Sequence, residues 1–121
     1  MALTLLRPVI GCNEIGDSAL EVRYEDKRLE KLCTNEREMR KRRSDIAAKL
    51  RLRIKALETV DCVDELSAHD PLGRWHQLTA NLSGLWAGRL SANQRLLIRP
   101  DDVAEPKRSV IVTVIDIDDY H

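Results

Sequence analysis

Near the end of the chain, Val110-Ile111-Val112-Thr113-Val114-Ile115 sets six apolar or β-branched residues in unbroken succession. A run with no polar face suits neither a surface helix nor a half-exposed strand. Over Ser109 to Asp116 it reads as a central strand buried on both faces. The rest of the chain must supply the strands beside it and the layer that covers it.

The preceding sequence meets that need. Leu20 to Tyr24 alternates apolar and polar residues, as a half-buried strand does. Asp26 can cap a helix with Leu29, Leu32 and Cys33 on its apolar face, and Asn35 and Glu38 stand in capping-box spacing, so the helix is expected to break and restart there. Ser44 or Asp45 is expected to start the next helix. Its apolar face is Ile46, Ala47, Leu50, Ile54 and Leu57, its other faces carry Lys49, Arg51, Arg53 and Lys55, and Leu52 points away from the stripe. Asp61 to Arg74, with Asp70-Pro71 and Gly73, reads as a loop. A meander follows: strands over Trp75 to Thr79, Leu85 to Leu90 and Arg95 to Arg99, then an acidic, proline-bearing connection to the last strand. The expected fold is α+β, with an N-terminal strand and two to three helices packed on one face of a mostly antiparallel four- to five-stranded sheet.

At 121 residues the chain is expected to form one domain over residues 20–121, with residues 1–19 as an N-terminal extension. It has no phenylalanine, so the core must rest on Leu, Ile and Val. Net charge is zero but unevenly spread: from Asp26 to Glu58 twelve Lys/Arg face six Asp/Glu, and from Asp101 onward two face six. A basic arm on a neutral chain either serves an anionic partner or is a solvated helix face. The three cysteines, Cys12, Cys33 and Cys62, form no CxxC pair and no metal-ligand grouping, so reduced thiols and a cytoplasmic setting are expected. The apolar start is interrupted by Arg7-Pro8, which argues against a signal peptide or membrane span.

Chemistry-bearing residues gather in the β-rich half. His76, Trp86, Arg89 and Arg95 lie on the expected meander, and the chain closes with Asp119-Tyr120-His121. Together they offer two imidazoles, a phenol, a carboxylate and two guanidiniums. An imidazole can take a proton from a ribose 2′-OH or return one to a leaving 5′-oxygen. Arginine stays charged and grips phosphate through paired hydrogen bonds. These are the groups a metal-free RNA-cleaving site requires, although a terminal tripeptide can equally be a frayed tail and Trp86 can simply pack.

The order and spacing of His76, Leu78, Gly84, Trp86, Arg89, Asn93, Arg95 and Ile98, with the closing Asp119-Tyr120-His121, resemble the RelE/ParE superfamily of type II toxins. Within it they resemble the HigB, or plasmid-maintenance killer, group. The stretch from Leu29 to Arg37 looks typical of one branch. The resemblance implies a toxin that cuts mRNA in the ribosomal A site as an endoribonuclease, without metal or cofactor, by attack of the 2′-OH on the adjacent phosphate. It implies catalytic roles for His76, Arg95, Asp119, Tyr120 and His121, and phosphate binding by Arg89 and Arg95. Which imidazole is acid and which base stays open. Arg40, Lys41, Arg42, Arg43, Lys49, Arg51, Arg53 and Lys55 become candidates for ribosomal RNA contact. The implied partners are a HigA-like helix-turn-helix antitoxin, the ribosome with its mRNA, and operator DNA reached through the antitoxin. The sequence departs from the family pattern at Thr79, where a lysine is usual, at Gln94, where an aromatic is usual, and in the extension. A ParE-like gyrase poison, or a decayed toxin that only binds antitoxin and operator DNA, are the alternatives.

Overall fold

The computed structural model describes residues 20–119; the extension over residues 1–19, with Cys12, and the final Tyr120 and His121 lie outside the described residues. The elements are β1 (Glu21–Tyr24), α1 (Lys27–Thr34), α2 (Glu36–Arg42), α3 (Ala47–Thr59), the short α4 (Leu66–His69), β2 (His76–Gln77), β3 (Trp86–Arg89), β4 (Gln94–Pro100) and β5 (Ile111–Asp119). The five strands form one sheet in the order β1-β5-β4-β3-β2. Only β1 against β5 is parallel, and the other pairings are antiparallel. This is the expected α+β architecture.

Capping residues set the first two helices. The Asp26 carboxylate accepts the Leu29 N–H at 2.8 Å, and the Asn35 side chain accepts the Glu38 N–H at 3.1 Å. Each satisfies a backbone donor that a helix start leaves unpaired. The expected cap of α3 does not form. Ile46 occupies that position with no side-chain bond, while the Asp45 carboxylate accepts from Arg43 Nε at 3.4 Å, which lowers its pKa.

Among the described residues the helices cover one face of the sheet only. Leu50, Ile54 and Leu57 of α3, with Met39 and Cys33, pack on Trp86, Leu96, Ile98, Val112 and Val114. The expectation that the last strand is buried on both faces is therefore corrected. Val112 and Val114 are fully buried under the helices, whereas Ile111, Thr113 and Ile115 on the opposite face are only partly covered. The helices lie on one side only, so strand alternation reappears despite the apolar run. On the open side a small cluster of Leu78, Ala87 and Leu97, joined by Leu82, Leu85 and Ile115, forms an apolar floor. The expected strand over Trp75 to Thr79 shortens to His76–Gln77.

Cys33 is free and buried, and burial pushes its thiol up to about 12. Cys62 is fully buried and disulfide-bonded, which corrects the expectation of three reduced thiols. Among the described residues no helix is long and apolar enough to cross a membrane.

Candidate functional site

Register builds the site. Arg89 of β3 stands opposite Arg95 of β4, and Arg95 stands opposite Asp118 of β5. Directly paired residues project to the same face, so these three side chains form a row across three strands. Leu96 and Ile98 point into the helix-covered core, so the row lies on the open face beside Ala87 and Leu97. His76 pairs with Ala87, two residues before Arg89 on β3. Same-face neighbours along a strand lie about 7 Å apart and adjacent strands about 4.8 Å apart, so His76, Arg89 and Arg95 share one patch.

Two contacts orient this patch. Asp118 Oδ2 accepts from Arg95 Nε at 3.0 Å and Nη2 at 2.9 Å, and Arg95 is largely sheltered, with 14% of its side chain exposed. The His76 ring lies with Nδ1 2.8 Å from the carbonyl oxygen of Arg74. A carbonyl only accepts, so Nδ1 carries the proton. In the neutral ring Nε2 is then the bare nitrogen. Arg74 itself adopts the left-handed conformation, φ 45° and ψ 48°, which is uncommon for a residue with a Cβ.

The chain around His76 explains its direction. Trp75 turns inward, and its indole lies so close over Gly88 that a Cβ there would come within 2.6 Å of the ring. With Trp75 held under the helices, alternation sends His76 to the open face. The Trp75 Nε1–H donates to Asp70 Oδ2 at 3.0 Å. Thr79, in the lysine position of the resemblance, is exposed in the turn after β2.

The remaining expected site residues divide. Asp119 is exposed opposite Gln94, one residue out of phase with Arg95, so it faces the other side of the sheet. Asp118, not singled out in the sequence, takes the place beside Arg95. Tyr120 and His121 lie outside the described residues. Arg40, Lys41, Lys49 and Lys55 are exposed on the helical layer. Arg42 is paired with Glu38, Arg43 with Asp45 and Arg51 with Glu36. All of them belong to the helical layer, and Arg42 and Arg43 line a cleft with Ile115, Asp116 and Ile117 of β5. Arg53 is a correction. It is 2% exposed, with its guanidinium bonded to Asp70 and to the carbonyls of Arg89 and Leu72, so it has no face to offer RNA. The signal was present in the sequence: position 53 lies three residues after Leu50 and four before Leu57, in the centre of the apolar stripe.

An N-terminal strand, a helical layer and a meander with cations on its open face define a RelE/ParE-like fold. Two of the solved structures similar to this chain illustrate the fold. One is the YoeB–YefM complex from Staphylococcus aureus, 17% identical over 86% of this chain and 99% of that one, with a TM-score of 0.51. The other is a YoeB/ParE toxin from Agrobacterium tumefaciens, 12% identical over 84% of this chain and 100% of that one, with a TM-score of 0.50. No family model and no curated protein matches the sequence.

Proposed function

We propose that this chain is the toxin of a type II toxin–antitoxin pair, of HigB type, and that it acts in the cytoplasm as a metal-independent endoribonuclease on ribosome-bound mRNA. The observation that carries this reading is the Arg89–Arg95 row beside the exposed His76 imidazole, which is held through Nδ1 by the Arg74 carbonyl. In the proposed step the ribose 2′-OH gives its proton to His76 Nε2 and its oxygen bonds to the adjacent phosphorus. The bond from phosphorus to the 5′-oxygen breaks, leaving a 2′,3′-cyclic phosphate. His121 or Tyr120 returns a proton to the departing 5′-oxygen. Arg89 and Arg95 hold the phosphoryl oxygens while negative charge builds up, and preorganised charge of this kind is the largest catalytic contribution in many enzymes. Asp118 keeps the Arg95 guanidinium in one orientation.

The expected partner is a HigA-like helix-turn-helix antitoxin, which would carry the pair to operator DNA. That the S. aureus protein was solved with YefM supports an antitoxin partner. The exposed cations Arg40, Lys41, Lys49 and Lys55, with Arg42, Arg43 and Arg51, are assigned to ribosomal RNA. Binding through phosphates should weaken steeply with salt.

A second reading has its own support. The Asp118 carboxylate neutralises Arg95, and a threonine stands where the family pattern has lysine. Both favour a decayed toxin that binds partners without cutting. Pulsed expression followed by primer extension on a translated message separates the readings. Cleavage within codons supports the nuclease, DNA damage with intact message points to a ParE-like gyrase poison, and neither effect points to the binding module.

A further inference from the structure

Arg53 joins the two halves of the candidate site from the opposite side of the sheet. Its Nε donates to the carbonyl of Arg89 at 2.7 Å, its Nη1 to the Asp70 carboxylate at 3.2 and 3.4 Å, and its Nη2 to the carbonyl of Leu72 at 3.1 Å. The first contact holds the end of β3 that bears Arg89. The others hold the turn that runs through Gly73 to Arg74, whose carbonyl fixes the His76 ring. Trp75 closes the loop by donating to the same Asp70 carboxylate.

A buried charge is a poor choice for stability alone, because an apolar side chain of similar volume commonly serves as well or better. What Arg53 offers is direction. A planar guanidinium donates along three fixed lines at once, which neither lysine nor an apolar residue can do. We infer that Arg53 is a positioning residue that sets the geometry between the Arg89 end of β3 and the Arg74–His76 turn. The inference rests on reading His76 and Arg89 as groups that act on an RNA phosphate.

The test uses the full chain labelled with 15N. The Arg53→Lys variant keeps a cation for Asp70 but gives up two of the three directions. Its thermal unfolding is measured first. The His76 tautomer is then read from its ring 15N shifts in the neutral form, and kcat and KM are measured on ribosomes programmed with message. The expected result is a folded protein whose His76 passes from the Nδ1–H form to a mixture. Its kcat should fall roughly 10- to 100-fold, the scale of a small misplacement, while KM changes little. A folded variant with the wild-type tautomer and kcat overturns the inference. Should Arg53→Lys fail to fold, Gly73→Ala replaces it. A Cβ there would lie 2.6 Å from Trp75 Nε1 and 2.7 Å from Asp70 Oδ2, and so displaces the turn together with the carboxylate that Arg53 holds. It should show the same tautomer mixture, and an unchanged tautomer would again overturn the claim. A wild-type protein that cuts no RNA removes the nuclease reading, whereas the tautomer still decides whether Arg53 orients His76.

Discussion

Arg53 and Arg95 are both arginines on sheet-facing positions, and the two sides of the sheet use them differently. On the helix side, Arg53 is 2% exposed and its donors end on protein oxygens. On the open side, Arg95 shares its row with an exposed Arg89 and a carboxylate that stands 33% exposed. Burial and partners, rather than residue type, decide which cation is structural and which can meet an anion. Most of the helical basic residues are borne by the helical layer, whereas Arg42 and Arg43 reach a cleft shared with Asp116 of β5.

The strongest way to break the comparison is Arg53→Ala. It leaves Asp70 without its cation in a largely buried place, and breaking a buried pair in this way costs about 3–5 kcal/mol. Urea unfolding that shows less than about 1 kcal/mol, the scale of exposed pairs, would mean that Arg53 is no more structural than a surface arginine. Arg51→Ala, which loses only the exposed pair with Glu36 at 2.8 Å, should stay within that surface range.

Alkaline pH tests the covered face as a whole. Burial raises the Cys33 thiol from 9.0 to about 12. Below pH 9 the thiol is protonated in both folded and unfolded chains, and its contribution to stability is fully present. As pH rises from 9 toward 12 the unfolded chain ionises first, and that contribution is lost. Stability measured across this window should fall more steeply in the wild-type protein than in Cys33→Ala. Equal slopes would place the thiol in contact with water.

Gly88→Ala asks whether Trp75 is as tightly seated as the structure has it. A methyl 2.6 Å from the indole ring must push it aside, and overpacking of this kind costs about 1–3 kcal/mol. Because Trp75 sends His76 to the other face, the His76 ring signals should move as well. A neutral substitution with unmoved signals would separate the two. Asn35→Ala should cost about 1 kcal/mol for a lost helix cap, checked by thermal unfolding against Ser44→Ala. Position 44 caps nothing, so its replacement should be silent.

Much of this architecture was legible in the sequence because local rules controlled it. Asp26 and Asn35 mark helix starts by hydrogen bonds within one turn, and the stripe from Ile46 to Leu57 is buried as its spacing implied. The missing α3 cap is a local failure, since Asp45 bonds Arg43 instead, and most of the others involve partners distant in sequence. Whether Ile111, Thr113 and Ile115 are covered depends on which side the helices choose. Asp118 rather than Asp119 meets Arg95 because of strand register, and one residue of slip exchanges the faces. The charge of Arg53 reads as an RNA contact, although its stripe position lies inside, and only Asp70 and two carbonyls from remote segments explain how the charge is held there. Arg89, Arg95 and His76 lie on the meander strands as read from the sequence, and strand register places them on one face. The carboxylate beside Arg95, and the carbonyl that sets the His76 tautomer, were not readable from spacing.

The most direct test of the open-face site compares the purified wild-type chain with Arg95→Ala and with a Lys41→Ala/Lys49→Ala variant on ribosomes carrying end-labelled message. Melting temperatures are matched beforehand. The account expects Arg95→Ala to lose roughly 10²–10⁴-fold in the rate of cleavage at saturating ribosome, with products ending in 2′,3′-cyclic phosphate. The helical variant should weaken ribosome binding at moderate salt and leave that saturated rate near wild type. Cleavage by Arg95→Ala at the wild-type rate, with the loss confined to the helical variant, would contradict it.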